Sequence, residues 1–190
     1  MPQPPTQVIT AAQDLYRKFH PKGELPSVMC AQGVLESDWF TKPSGKFNFY
    51  GIKATKQQII DGQATCRMTH EYINGQYITE PQYFADYPSL EAGLEAHAEL
   101  LMKSWYKDVQ VARTYDAQAR ALLRDHYATA PNYAEALIAI IRDNNFTQYD
   151  APVVLPTSPT PIQPVPPPIT SIHIPSFWEQ IVKWWESLFK

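Results

Sequence analysis

Residues 26–39 read PSVMCAQGVLESDW, an almost wholly apolar stretch with one glutamate, Glu36, near its end. If Ser27 is the N-cap, apolar side chains recur at helical spacing along one face over the next three turns. The residues on this face are Val28, Ala31, Leu35 and Trp39. The stretch therefore predicts a core helix that ends near Trp39 and carries a carboxyl group at the edge of its apolar face.

The predicted surroundings of Glu36 favour the protonated form of its carboxyl group. Burial among apolar groups disfavours the anion, and the negative end of the helix dipole disfavours it further. Asp38 would raise the pKa of Glu36 again if its charge lies near enough. A carboxyl group that stays protonated near neutral pH can donate its proton to a leaving oxygen. Glu36 is thus a candidate general acid, and the alternative is a half-exposed glutamate at a helix end.

Helical periodicity recurs on both sides of this stretch. The further predicted helices cover residues 6–19, 116–126 and 132–142, with one more that begins after the N-cap Ser89 and runs to Trp105. Between them, residues 65–72 and 76–84 alternate as strands around Asn74-Gly75, the strongest short-range hairpin signal. Mostly helix with one small hairpin predicts an α+β architecture for residues 1–150.

The composition excludes several classes of protein. With 16 basic and 19 acidic residues the net charge is −3, so nothing favours binding to nucleic acid. The histidines show no metal-ligand spacing and there is no glycine-rich phosphate loop, so we expect no metal and no cofactor. Cys30 and Cys66 are too few for a disulfide framework. A bridge between them stays open, but a buried free thiol is favoured for Cys30.

Five segments carry a resemblance to a known family. In chain order they are AQGVLES at 31–37, NFYGIKA at 48–54, THEYING at 69–75, FADYPS at 84–89 and YATAPNY at 127–133. Together they resemble the glucosaminidase family of peptidoglycan hydrolases, family 73 of the glycoside hydrolases, which includes bacterial autolysins and the flagellar rod-associated hydrolase. The resemblance implies a lysozyme-like fold with a cleft between a helical lobe and a β-hairpin lobe.

The resemblance also implies roles for residues of the cleft. Glu36 corresponds to the catalytic acid, Glu71 to the second catalytic carboxylate, and Tyr127 to a tyrosine that the family keeps in its cleft. Asp38 and Glu80 are weaker candidates for the second carboxylate. The residues expected to bind substrate are Gln32, Asn48, Phe49, Tyr50, Asn132 and Tyr133. For Tyr127 and Tyr133 a structural role in the core is the alternative.

The chain departs from the family pattern at two places. Ala130 stands where the family usually has Asp, so a capping or loop-ordering hydrogen bond near Tyr127 is expected to be missing. Asp38 and Phe40 replace the small residues that often follow the family's Glu-Ser pair.

The composition changes after Asp150. Residues 151–175 hold nine prolines in 25 positions, which predicts a semi-rigid linker. Residues 176–190 form an amphipathic helix pattern with a complete separation of apolar and polar faces. Its aromatic anchors are Phe177, Trp178, Trp184, Trp185 and Phe189. They suit a helix that lies in the membrane interface or docks on a protein such as a virion component, and both alternatives stay open.

The resemblance implies an endo-β-N-acetylglucosaminidase that cuts the β-1,4 bond on the N-acetylglucosamine side of peptidoglycan glycan strands. The nearest alternative is a lytic transglycosylase on the same fold, and a further one is a non-catalytic glycan-binding component of a virion or membrane. Residues 1–7 show no secretory signal pattern. We therefore expect action at the bacterial cell wall after delivery by phage lysis or in a virion.

Overall fold

The computed structural model of the chain describes residues 2–73 and 76–150, and within this span it describes residues 70–73 and 76–78 by their backbone alone. The predicted linker and the predicted C-terminal helix lie outside the described residues, as do the helix's aromatic anchors Phe177, Trp178, Trp184, Trp185 and Phe189. In the part of the chain that is described, no helix has both the length and the hydropathy needed to cross a membrane.

Helices dominate the described part of the chain, and one hairpin interrupts them. The elements are α1 (Thr6–Phe19), α2 (Pro26–Ser37), α3 (Lys56–Ile60), β1 (Ala64–Ile73), β2 (Gln76–Ala85), α4 (Leu90–Leu101), α5 (Lys107–Val111), α6 (Tyr115–Arg124) and α7 (Tyr133–Asp143). Short 3₁₀ turns cover Ser104–Tyr106 and Phe146–Tyr149.

Helix α2 lies at the centre of the core. Eleven of its 12 residues are buried, and Glu36 alone is partly exposed. A helix that is apolar on all sides must be surrounded by other elements. Accordingly α1, α6, α7 and the 3₁₀ turn Phe146–Tyr149 pack against it. The rest of the protein is thus arranged around the helix that carries the candidate acid.

The hairpin is attached to the helical part by its root. Strands β1 and β2 are antiparallel, with Ala64 opposite Ala85 and Ile73 opposite Gln76. A loop passes beside the root, where the Ala85 amide donates to the Ile52 carbonyl at 3.0 Å and the Ala54 amide donates to the Tyr83 carbonyl at 2.9 Å. The root is therefore fixed by backbone hydrogen bonds outside the two-stranded ladder.

Most predicted elements are confirmed, and their ends show where tertiary structure overrides local pattern. The helix at 6–19 has the predicted bounds, and each strand of the hairpin is one residue longer at one or both ends than predicted. The prediction that α4 runs to Trp105 is wrong. The chain leaves the helix at Met102, and Trp105 lies in a 3₁₀ turn with 58% of its surface exposed.

The start and end of α2 also differ from the prediction. Pro26 occupies the first turn, where its fixed φ suits a helix start, and Leu25 is the N-cap. Ser27 lies inside the helix, and its Oγ and backbone amide donate to the Asp150 carboxylate at 2.7 and 2.8 Å. The helix ends at Ser37, so Trp39 is outside it. Ser27 therefore ties α2 to the last described residue of the chain.

The expectation for the cysteines is confirmed. Both thiols are free, with Cys30 buried on α2 and Cys66 exposed on β1. Burial raises the pKa of the Cys30 thiol well above its usual range, so it stays protonated. A nucleophilic role for Cys30 does not fit this environment.

We expect Gly93→Ala to destabilise the protein by about 3 kcal/mol, because a Cβ would overpack the contact between α4 and the loop before Asn48. A Cβ at Gly93 would lie 2.0 Å from the Phe47 carbonyl oxygen, which is backbone and cannot rotate away. Gly33→Ala is the matched comparison, since its Cβ would meet only the ring of Phe40, which is partly exposed. Thermal or urea denaturation measures both, and an equal loss in the two variants would contradict the prediction.

Candidate active site

A cleft runs between the C-terminal end of α2 and the hairpin. It consists of two pockets of about 580 and 670 Å³ that share Glu36, Thr69 and Phe84 in their walls. Glu36 belongs to the helical side and the other two residues to the hairpin. Each pocket has a size typical of ligand sites. An extended ligand that occupies both pockets would therefore pass over Glu36 near its middle.

The two pockets differ in chemistry. The first has charged walls, with Asp38, Lys42 and Arg67 among its lining residues. The second has aromatic walls, and its tyrosines are Tyr50, Tyr87, Tyr106 and Tyr127. Aromatic surface combined with a few polar groups is typical of sites that bind sugars and other ligands with apolar faces.

The chain turns sharply after Glu36. Asp38, Trp39 and Phe40 have φ values of 49°, 60° and 63°, so three consecutive non-glycine residues are left-handed. Each such residue costs about 1 kcal/mol or more, and such strain clusters at functional sites. The turn brings the ring of Phe40 over Gly33, where a Cβ would be only 2.1 Å from it. The strained turn thus forms one end of the cleft beside the candidate acid.

The environment of Glu36 has the predicted effect on its titration. Burial raises the pKa of Glu36 from its ordinary 4.5 to about 7, and a hydrogen bond from the Tyr133 hydroxyl to Oε1 at 3.0 Å offsets part of this rise. Asp38, whose carboxylate pairs with Lys42 at 2.7 Å, adds nothing to this rise, so the condition for its predicted effect is not met. A substantial fraction of Glu36 is therefore protonated at neutral pH while the side chain still reaches the cleft.

Tyr127 lies in the same pocket as Glu36. Its hydroxyl donates to the Tyr50 carbonyl at 3.2 Å, and its ring packs against the rings of Tyr106, Tyr133 and His97. Burial raises the pKa of Tyr127 well above its usual value, so the phenol is neutral. Tyr127 can therefore offer a neutral hydroxyl oxygen to a ligand but does not supply an anionic base.

The loop at 48–50 packs beside the cleft, and most of its side chains are buried and do not face a ligand. The side chain of Asn48 is buried, donates to the carbonyls of Ile52 and Ala85 at 2.8 and 2.9 Å, and accepts from the Ile52 amide at 3.0 Å. Phe49 is buried against Phe40, with ring centroids 5.4 Å apart. Of these predicted substrate contacts, only Tyr50 lines a pocket that we describe. Asn48 instead holds the loop to the hairpin root.

Two further predicted substrate contacts are beneath the cleft surface. Gln32 and Tyr133 are 0% and 1% exposed, and the Gln32 Nε2 donates to the Tyr133 hydroxyl at 2.9 Å. Such side chains present no surface to a ligand, so we correct their predicted role from substrate contact to support of Glu36. Asn132 is exposed and serves as the N-cap of α7 without a side-chain capping bond. Ala130 contributes only its carbonyl, which accepts from the Tyr133 amide.

The predicted second carboxylate belongs to the hairpin. Glu71 lies on β1 opposite Ile78, and it is described by its backbone alone. Residues 67–69 of the same strand line the first pocket. Glu80 is half-buried on β2, where its carboxylate accepts from Gln82 Nε2 at 2.6 Å. The role of Glu71 as second carboxylate therefore stays a prediction.

Comparison with known proteins assigns the chain to a family. The profile described as Glucosaminidase: Mannosyl-glycoprotein endo-beta-N-acetylglucosaminidase matches residues 10–146. The chain belongs to the glucosaminidase family. The resemblance inferred from the five sequence segments is thereby confirmed, and the match ends close to the last described helix.

Individual members of the glucosaminidase family are similar over most of the described chain. A probable N-acetylmuramidase of Lactococcus lactis is 35% identical over 142 residues, which cover 67% of this chain and 30% of that protein. The exo-glucosaminidase LytG of Bacillus subtilis is 33% identical over 147 residues, which cover 73% of this chain and 50% of that protein. The chain thus spans half or less of the length of these curated relatives.

A solved structure supports the fold. The catalytic domain of the autolysin Auto from Listeria monocytogenes matches with a TM-score of 0.65 and 32% sequence identity, over 79% of this chain and 91% of that one. The predicted lysozyme-like α+β fold of the glucosaminidase family is therefore confirmed.

Two residues near Glu36 were not predicted as part of the site. Glu24 and His97 are buried and lie 3.0 Å apart, and His97 also contacts Gln32. Their only sequence signal was a histidine on the apolar face of α4. Within residues 2–73 and 76–150, no three His, Cys, Asp or Glu side chains are grouped so that they could hold a metal ion.

Proposed function

We propose that residues 1–150 form a peptidoglycan hydrolase that cleaves the β-1,4 bond on the N-acetylglucosamine side of the glycan, with Glu36 as general acid. The observation that carries the proposal is the position of Glu36, whose pKa is raised to about 7, at the junction of two pockets. Membership in the glucosaminidase family and the similarity to the exo-glucosaminidase LytG support the same activity.

The proposed mechanism begins with a glycan strand lying across both pockets. Glu36 protonates the glycosidic oxygen, the bond to the N-acetylglucosamine ring breaks, and positive charge develops on that ring. Glu71 assists by positioning water or by stabilising this charge. Carboxyl groups about 5 Å apart favour retention of configuration and wider pairs favour inversion. Tyr127 lines the same pocket as Glu36 and offers its hydroxyl oxygen to the substrate or to water.

The chemical ends of the released fragments test the proposal. Mass spectrometry of fragments from purified peptidoglycan is expected to show new reducing ends of N-acetylglucosamine. The name of the Lactococcus lactis relative favours a second candidate, a muramidase, which would leave reducing ends of N-acetylmuramic acid. Anhydro-muramic acid ends would identify a lytic transglycosylase. The absence of any fragment would leave only glycan binding.

The alkaline limit of activity is expected near pH 7, because a general acid works only while protonated. Activity should hold below the pKa of Glu36 and fall above it. Tyr133→Phe removes a hydrogen bond that favours the carboxylate, so the pKa of Glu36 should rise and the limit should move up by about one pH unit. The dependence of kcat/KM on pH measures this, and a lower rate at every pH with an unmoved limit would contradict it.

The C-terminal residues carry a separate part of the proposal. We expect residues 176–190 to anchor the enzyme to a membrane surface or a protein partner through their aromatic face, with residues 151–175 as spacer. Co-sedimentation with neutral and anionic lipid vesicles tests membrane binding. Trp184→Ala/Trp185→Ala is expected to abolish it, and Lys183→Gln, on the polar face, serves as control. If the protein binds to no vesicle, a protein partner remains as the target of residues 176–190. Delivery by phage lysis or in a virion is also part of this proposal.

A further inference from the structure

A continuous hydrogen-bonded chain of buried side chains ends on Glu36. Its members, in order, are Glu24, His97, Gln32 and Tyr133, and we call them the buried polar chain. His97 Nε2 lies 3.0 Å from Glu24 Oε2 and 3.1 Å from Gln32 Oε1. Gln32 Nε2 lies 2.9 Å from the Tyr133 hydroxyl, which lies 3.0 Å from Glu36 Oε1.

From His97 onwards the hydrogen bonds of the buried polar chain point towards Glu36, and the same His97 N–H is shared with the Glu24 carboxylate. The Tyr133 hydroxyl donates to the Glu36 carboxyl group, so its oxygen accepts from Gln32 Nε2. The Gln32 Oε1 must then face His97, whose Nε2 is placed between two acceptor oxygens and so carries a hydrogen. A hydrogen bond is strengthened when its donor also accepts one. The chain therefore fixes the direction of the last bond, at Glu36 Oε1.

A buried polar chain of this kind is a weak source of stability. Glu24, His97, Gln32 and Tyr133 are 3%, 0%, 0% and 1% exposed, and they come from four different segments of the fold. Among the described residues, Glu24 Oε1 and His97 Nδ1 have no hydrogen-bond partner. Apolar residues of similar volume are often as stabilising as a buried pair of this kind.

Packing holds the histidine in one orientation. The ring of Tyr50 stacks on His97 with a centroid distance of 3.9 Å and an interplanar angle of 12°, and the ring of Tyr127 meets its edge at 5.7 Å. Because both tyrosines line the cleft, the back of the cleft and the buried polar chain form one packed unit.

We propose that Glu24 and His97 are positioning residues that act through Gln32 and Tyr133 to hold Glu36 Oε1, so that the transferable proton resides on Oε2. This inference rests on the proposed function of Glu36 as general acid. A carboxyl group with one oxygen held can present the other in a single direction, and misplacement of a catalytic group is costly in rate. Neither Glu24 nor His97 contacts substrate in this arrangement.

Other groups that can affect the titration of Glu36 surround it from every side. The described titratable and charged residues of the cleft near Glu36 are Asp38, Lys42, Arg67, Tyr127 and Tyr133, with Tyr50, Lys53, Tyr87, Glu99, Lys103 and Tyr106 farther along the aromatic pocket. The test must therefore alter the buried polar chain without changing any of these charges.

Gln32→Met tests the inference, because it removes both hydrogen bonds of Gln32 and conserves its length and charge. In the protein of residues 1–190, we expect kcat to fall about tenfold with KM unchanged. The alkaline limit of kcat/KM should rise by about half a pH unit. Ser27→Ala is the matched control on the same helix, since Ser27 is also buried and hydrogen-bonded, to Asp150. Ser27→Ala should lower the melting temperature and leave the alkaline limit of kcat/KM unchanged.

Two further measurements keep the inference falsifiable. A ¹³C NMR titration of the Glu36 carboxyl group, assigned by its loss in Glu36→Gln, needs no catalysis and should show the same shift. If Gln32→Met does not fold, Glu24→Met/His97→Leu removes the far end of the chain without leaving a buried carboxyl group unpaired, and it should shift the titration in the same direction. An unshifted titration in the folded variants overturns the inference.

A double-mutant cycle separates action through Tyr133 from general damage. Gln32→Met/Tyr133→Phe should be no slower than Tyr133→Phe alone, because Gln32 acts only through that hydroxyl. Additive losses would overturn the inference. Loss of the proposed function would appear differently, as a wild-type protein that releases no fragments whatever the NMR titration shows.

Discussion

Glu36→Gln is expected to lower the rate of glycan cleavage about a thousandfold or more, within the range that general acid catalysis contributes. The amide has nearly the shape of the carboxyl group and can still accept a hydrogen bond from Tyr133, but it has no acidic proton. The release of soluble fragments from purified peptidoglycan measures the loss. Glycan binding should persist, because the pocket walls are unchanged.

The matched control for this variant is Glu135→Gln. Glu135 is exposed on α7, where its carboxylate pairs with Arg120 away from the cleft. We expect its activity to equal that of the wild type. A folded Glu36→Gln protein that keeps more than about a tenth of the activity would remove Glu36 from the proposed mechanism.

The same variant should gain stability relative to the wild type as the pH rises. The pKa of Glu36 is higher in the folded protein, about 7, than its ordinary value of 4.5. Between these two values the unfolded chain binds fewer protons than the folded protein, so the wild type loses stability as the pH increases. Glu36→Gln lacks this loss and should melt at a higher temperature than the wild type at pH 8, with a smaller difference at pH 4. The opposite order would contradict the burial of this group.

His97→Ala is expected to destabilise the protein by about 4 kcal/mol, since it leaves a buried carboxyl group without its partner and opens a cavity. Glu24 is 3% exposed, and His97 is its hydrogen-bonded partner. Urea denaturation followed by circular dichroism measures the change in the free energy of unfolding.

Replacing both partners should reverse most of this loss. Glu24→Met/His97→Leu fills the space with apolar groups, and replacements of this kind are often neutral or stabilising. We expect the double variant to be close to the wild type in stability and still impaired in kcat. A double variant that regained full activity together with stability would show that the pair serves stability alone.

The elements that sequence predicted well are those in which local pattern and tertiary packing agree. The repeated apolar face of α1 and the alternation of β1 and β2 are such patterns, and the bounds of these three elements were predicted almost to the residue. Short α3 and α5 were missed, because five residues give too few periods to recognise. The overlong α4 shows the reverse error, since Trp105 continues the helical spacing although the chain has already left the helix.

The sequence predicted several residues of the candidate site, but not which of them face the cleft and which lie beneath it. Glu36, Tyr50 and Tyr127 line the cleft as expected from the family resemblance. Gln32 and Asn48 were predicted to contact substrate, but the structure pairs both with residues that are distant in sequence. Gln32 bonds to Tyr133 across 101 positions and Asn48 bonds to Ala85 across 37. Such long-range pairing cannot be inferred from spacing.

The left-handed turn after Glu36 could not be predicted for a different reason. Trp39 and Phe40 have bulky side chains that disfavour positive φ, whereas Asp38 tolerates it better, and no glycine marks the place. The conformation persists because the surrounding core holds it, with Phe40 lodged over Gly33 and Trp39 edge-on to Phe146. Local propensity therefore predicts the wrong conformation where tertiary contacts offset the free-energy cost of a disfavoured one.

Because the hairpin is attached at its root, a small rotation there displaces the far end of the hairpin by a much larger distance. Position 71 lies seven residues along β1 from Ala64, which is roughly 23 Å at about 3.3 Å per residue. A rotation of about 5° at the root would carry position 71 through about 2 Å. That distance is comparable to the difference in carboxyl separation between retaining and inverting glycosidases. In an enzyme that uses Glu71 as proposed, the anomeric configuration of the product would depend on the angle set by Asn48 and Ile52 at the opposite end of the hairpin.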